Sequence, residues 1–115
     1  MQKITDFSNA FESLDLLGFA LVKSIYVCGA ATQAQSDCAA KISNYFYDAK
    51  RLHDERWNSK ISSGTAYCLA AAEEARKARL FIESKAGKAF VESLSAPSRA
   101  IVEAIVLTCD HLLSS

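Results

Sequence analysis

Proline occurs once and glycine four times among these 115 residues. So few turn formers exclude an all-β fold, whose short strands need frequent punctuation. Histidine is also scarce, and neither His53 nor His111 has a glutamate three residues before it. That removes the carboxylate-bridged metal pair of helical bundles, which draws on Glu-x-x-His. The four cysteines, Cys28, Cys38, Cys68 and Cys109, stand 10, 30 and 41 residues apart. None has the two-residue spacing of a zinc knuckle or a redox pair. A zinc site assembled from Cys28, Cys38, His53 or His111 would have no local ligand spacing behind it, so no metal or cofactor is expected.

Nucleophilic and phosphate-binding motifs are missing too. Gly87-Lys88 lacks the glycine-rich turn of a phosphate loop. Ser63-Gly64-Thr65 is no nucleophile elbow. Cys109 and His111 are two residues apart, so on a helix their side chains diverge by about 200°. Net charge is zero, with thirteen basic and thirteen acidic residues, and no whole-molecule field draws nucleic acid or an anionic membrane. The charge is nonetheless uneven: residues 41–88 carry ten basic and six acidic groups, and each flanking segment has two more acids than bases. The ends are therefore expected to fold against the middle. Met1–Asp6 lacks the basic start and apolar core of a secretory signal, so a cytoplasmic protein with reduced thiols is expected. Leu16–Ala34 holds one charge, Lys23, but its second half is diluted by Gly29, Thr32 and Gln33. It reads as a buried helix better than as a membrane span.

What remains is half apolar residues and nineteen alanines, the strongest helix former. An alternating four-three count runs through Phe7, Phe11, Leu14, Gly18, Leu21, Ile25 and Cys28. It recurs through Cys38, Ile42, Tyr45, Ala49, Leu52 and Arg56, and again through Cys68, Ala72, Ala75, Arg79, Ile82, Ala86 and Ala89. That spacing belongs to residues facing one partner across a helix–helix seam. The expected fold is all-α: one domain, residues 1–115, forming an antiparallel bundle of about four helices with an alanine-rich seam on the third.

Helix one should start near Thr5–Asn9, with Asn9 and Glu12 spaced as a reciprocal cap, and stop around Gly29. Being apolar almost all round, it should be the most buried, or partly covered by a second subunit. Helix two should run from Ser36 or Asp37 to about Ser59, with Ala30–Gln35 a linker or an extension of helix one. Helix three should run from Ser62–Thr65 to about Lys85, with Gly87 ending or weakening it and Phe90–Leu94 a short continuation. Its seam is expected to hold Ala71, Ala72, Ala75, Ala78, Ala86 and Ala89, with Leu69 and Leu80 on another surface. Ser95-Ala96-Pro97-Ser98 reads as the cap and first turn of helix four.

Two groups of polar residues depart from this pattern. His53 and Arg56 fall on the apolar arc of helix two, and Arg79 in the seam of helix three. A buried guanidinium needs solvent, a carboxylate or a ligand. Arg56 can snorkel past Trp57, and Arg79 can pair with a carboxylate on another helix, Asp110 being one candidate. Alternatively His53, Arg56 and Arg79 line a pocket for an acidic ligand. The second group is the outward Tyr47 with Lys50, Arg51 and Trp57, residue types enriched at binding hot spots. Asp48, Asp54 and Glu55 can pair with those cations along the helix.

The function expected is a non-enzymatic protein-interaction module, such as a small adaptor, inhibitor or regulatory subunit, that self-associates. The alternatives are a small-ligand-binding bundle using His53, Arg56 and Arg79, and a nucleic-acid-associated regulator using Lys50, Arg51, Arg76, Lys77, Lys85 and Lys88.

Overall fold

The computed structural model describes the backbone of residues 3–27, 31–58 and 64–114 and the side chains of 10–27, 31–55 and 69–114. Among the described residues every regular element is helical: α1 (Lys3–Val27), α2 (Gln33–Asn58), α3 (Gly64–Glu83), α4 (Lys85–Glu92) and α5 (Ala96–Leu113). They form a rod of 47 × 23 × 23 Å, in keeping with helices of about 25 residues rising about 1.5 Å each. None of them is long and apolar enough to cross a membrane.

The four-three count of α1 faces inward. Phe11, Leu14, Gly18, Leu21 and Ile25 are all buried. Contacts between α1 and α2 run in opposite chain directions, which makes that pair antiparallel. Phe11 meets His53 with ring centres 4.9 Å apart, whereas Gly18, further along α1, lies against Ser43 and Phe46. Lys41 of α2 stands over the ring of Phe81 of α3. Arg79 of α3 reaches Asp110 of α5, and Ser24 of α1 reaches Ser98 of α5. Thus α1 sits between α2 and α5, and α3 closes the bundle from the opposite corner. At the α1–α2 crossing a Cβ on Gly18 would come within 3.0 Å of the Cα of Ser43, so the glycine is what permits this approach.

Among the described residues there are five helices where about four are expected, because α3 breaks at Ser84. The Ser84 backbone is extended, at φ −69° and ψ 168°. Its hydroxyl donates to the carbonyl of Phe81 at 2.6 Å and accepts from the amide of Gly87 at 3.1 Å. One serine thus stops α3 and caps α4, offering the backbone bonds that compete with a continuous helix. Gly87 lies inside α4 instead of ending α3: a Cβ there would lie 2.6 Å from the carbonyl oxygen of Ile82. The break also re-aims the seam. Ala71, Ala75 and Ala78 are fully buried, but Ala86 and Ala89, expected to continue the seam, are exposed, and Phe90 and Leu94 enter the core instead.

Two helix starts also differ from expectation. Lys3, not Asn9, begins α1, so Asn9 is interior to the helix. α2 starts at Gln33 because Thr32 and Gln35 cap it reciprocally: the Gln35 amide donates to the Thr32 hydroxyl at 3.1 Å, and the Thr32 amide to the Gln35 side-chain oxygen at 3.1 Å. Gly29 lies outside the described residues. α5 begins as expected, with Ser95 extended at the cap and proline in the first turn.

Among the described side chains α1 has the largest buried share of the five helices, but it is not covered all round. Leu16, Phe19, Tyr26 and Val27 are 61 to 76% exposed, because the buried positions of α1 form a single arc and these side chains lie opposite it.

Candidate functional site

The expected pocket of His53, Arg56 and Arg79 is not brought together by the described side chains. His53 is 1% exposed, stacked at a tilt against Phe11, with Nδ1 3.7 Å from a carboxylate oxygen of Asp54. Arg79 belongs to a different boundary. Its Nε donates to Asp110 at 2.9 Å, and a terminal nitrogen lies 2.7 Å from Glu83. The hydrogen bond to Asp110 is the main reason its guanidinium holds its proton more tightly than usual, with the charges of Asp110 and Glu83 adding to it. The stacking of Lys41 on Phe81 sets the level of Arg79 along the rod. His53 is twelve residues further along α2, about 18 Å at the helical rise. Arg56 and Trp57 lie in α2, but their side chains fall outside the described residues.

Tyr47, Lys50 and Arg51 do share a surface. They line a polar cleft of about 310 Å³ with Asp15 of α1 and with Asp54 and Glu55. Lys50 lies 2.7 Å from Asp54, and Arg51 3.0 Å from Glu55 and 3.9 Å from Asp48. These i,i+3 and i,i+4 pairs are the ones the spacing predicts. The hydrogen bond to Asp54 raises the affinity of Lys50 for its proton. Both cations of the cleft are thus paired, Asp15 is its surplus acid, and the exposed ring of Tyr47 is its apolar component. Arg76 and Lys77 are likewise held by Glu73 and Glu74 on their own helix.

Two further features lie outside these residue groups; the sequence carries no sign of the first and points to the second only as a helix apolar almost all round. The first is an open groove of about 600 Å³ between the end of α3, α4 and α5. Ile82, Val91, Val102, Val106 and Leu107 give it apolar walls, and charged side chains, Lys88 and Glu103 among them, stand at its rim. It exists because Ser84 turns α4 off the axis of α3. At the other end of α4, Arg99 of α5 holds the α4–α5 connection, donating to the carbonyls of Glu92 at 3.2 Å and Leu94 at 3.1 Å. The second is the outer face of α1. Glu12, Leu16, Phe19, Lys23 and Tyr26 repeat the four-three count on the side away from the core, and all five are exposed. This signal was present in the sequence, hidden beside the stronger inward count.

Chemically these are an apolar groove and an exposed, largely apolar stripe. Among the described residues no group of three histidine, cysteine or acidic side chains could hold a metal ion. Cys38 and Cys109 are free thiols, and Cys28 and Cys68 lie outside the described residues. Burial pushes the Cys109 thiol up to about 12, so it is no nucleophile at neutral pH. No protein-family model matches the chain, and no curated protein or solved structure is significantly similar to it.

Proposed function

We propose that this chain is a non-enzymatic protein-interaction module, a small adaptor, inhibitor or regulatory subunit, that self-associates. The observation carrying this reading is the outer face of α1, where Leu16, Phe19, Tyr26 and Val27 stay in water although the inner face of the same helix is fully packed. Large side chains at seam spacing on an exposed face mark an interaction surface. Covering each contributes up to roughly 1.5–3 kcal/mol. Tyr47 borders the same face, sharing its cleft with Asp15, the residue before Leu16. A cytoplasmic setting belongs to this proposal, in keeping with the free thiols of Cys38 and Cys109. Light scattering over a wide concentration range tests it: the mass should rise toward twice that of the chain, and Phe19→Glu should return it to one chain with unchanged helical circular dichroism. A strict monomer throughout would overturn it.

A second reading, small-ligand binding, is favoured by the α3–α4–α5 groove, whose volume of about 600 Å³ falls in the range of ligand pockets. Its walls suit an apolar molecule and include neither His53 nor Arg79. A solvatochromic apolar dye should bind one per chain and be lost in Leu107→Glu; undiminished binding would reject the groove. Nucleic-acid binding ranks last, because Lys50, Arg51, Arg76 and Lys77 are already matched by carboxylates on their own helices. Failure to bind oligonucleotides at low salt, where phosphate attraction is strongest, would remove it.

A further inference from the structure

We infer that the partner covering α1 is a second copy of the chain, docked antiparallel along α1, with Glu12 of each copy facing Lys23 of the other. The inference rests on the self-association proposed above and adds its face, direction and register.

The exposed stripe reads Glu12, Leu16, Phe19, Lys23. Its spacing is four, three, four, which is the same read from either end. Its chemistry reverses: the acid lies as far before the midpoint between Leu16 and Phe19 as the base lies after it. A two-fold axis through that midpoint places Leu16 against Phe19 twice and Glu12 against Lys23 twice. This is the self-complementarity an isologous interface requires, residue i meeting j and j meeting i. A parallel pairing about the same stripe would set Glu12 against Glu12 and Lys23 against Lys23, and like charges facing each other oppose association.

Three observations support this arrangement. Among the described residues neither Glu12 nor Lys23 forms a close ion pair, Glu12 acting on Lys50 only at a distance, whereas Lys50, Arg51, Arg76, Lys77 and Arg79 are held directly by carboxylates of the chain. The apolar pair lies at the centre and the charges toward its ends, the order of a desolvated core and a polar rim. The side of the rod measures 47 by 23 Å, ample for the roughly 800 Å² per partner of a stable dimer. Tyr26 and Val27 extend the apolar strip beyond Lys23.

Charge reversal on the full chain, read by analytical ultracentrifugation, tests the register. Glu12→Lys alone and Lys23→Glu alone should each weaken self-association about tenfold, since symmetry replaces two exposed attractive pairs with two repulsive ones. The double variant should return to within about threefold of the parent. Lys85→Glu, with the same charge change on α4, should have no effect. A dimer broken by Phe19→Glu but unmoved by either charge reversal overturns the register. A dimer indifferent to Phe19→Glu overturns the face while leaving self-association standing. A strict monomer overturns both and leaves the stripe to a different protein.

Discussion

The hydroxyls of Ser24 and Ser98 lie 2.7 Å apart across the α1–α5 boundary, with Ser98 almost wholly buried. Ser98 also accepts from the hydroxyl of Ser95 at 3.4 Å, so it keeps one partner when Ser24 is removed. Removing Ser98 costs the half-buried Ser24 this bond, and once either serine is gone the bond cannot be lost a second time. Ser98→Ala should therefore cost about 1–2 kcal/mol, and the Ser24→Ala, Ser98→Ala pair less than the sum of its singles. Urea denaturation of the four proteins of that cycle measures the difference. Strict additivity would show that the bond contributes nothing.

The α3–α4 break depends on Gly87 more than on its capping serine. Gly87→Ala drives a methyl group into the backbone of Phe81 and Ile82, the carbonyl oxygen of Ile82 lying at 2.6 Å and that of Phe81 closer still. Neither a side-chain rotation nor a small shift relieves a clash with backbone. Ser84→Ala removes a cap, which typically costs about 1 kcal/mol. Gly87→Ala should cost more than that, about 2 kcal/mol or above, and should also reduce dye binding in the groove. A Gly87→Ala melting temperature above that of Ser84→Ala would contradict this ranking.

How far the sequence disclosed these features depends on what each one physically requires. A four-three count reports which face of a helix is apolar, so the burial of Phe11, Leu14, Ile42, Ala49 and Ala75 was legible. Pro97 marked its boundary because proline suits a first turn. Asp110 could be named as a partner for Arg79 because a guanidinium in a seam must find a carboxylate. The count says nothing about level along the axis. His53 and Arg79 therefore looked like neighbours on paper and are not. The break at Ser84 was hidden for another reason. Ser93 and Ser95 have the same side chain, and only the close approach of Gly87 to Ile82 singles out Ser84. Thr32 and Gln35 did carry a readable capping box, obscured by alanine and glutamine neighbours that neither favour nor forbid a helix start.

Small residues in the α3 seam should be less tolerant of change than the exposed aromatic of α2. Ala75 is fully buried, with its carbonyl 4.0 Å from the sulfur of Cys109, whereas Tyr47 is 59% exposed. Ala75→Leu adds three heavy atoms to a filled boundary, a strain of about 1–3 kcal/mol. Tyr47→Ala should stay within about 0.5 kcal/mol of the parent. Thermal melts compare the two directly. Equal destabilisation would show that the seam is loosely packed.

Cys109 should make the fold sensitive to alkali. Burial is the main cause that raises its thiol from an ordinary value near 9 to about 12, opposed in part by Arg79. The sign follows from which state holds the proton. Below pH 9 the thiol is protonated in both states and contributes no pH dependence. Between about 9 and 12 the unfolded chain ionises and the folded one does not, so stability falls by about 1.4 kcal/mol per pH unit. Cys109→Ala removes that term while leaving the tyrosines and lysines that also titrate there. Denaturant unfolding between pH 8 and about pH 10.5 should therefore show the parent losing about 2 kcal/mol more than Cys109→Ala. Parallel stability curves for the two proteins would mean that the thiol ionises as easily folded as unfolded, and that the α3–α5 boundary admits water.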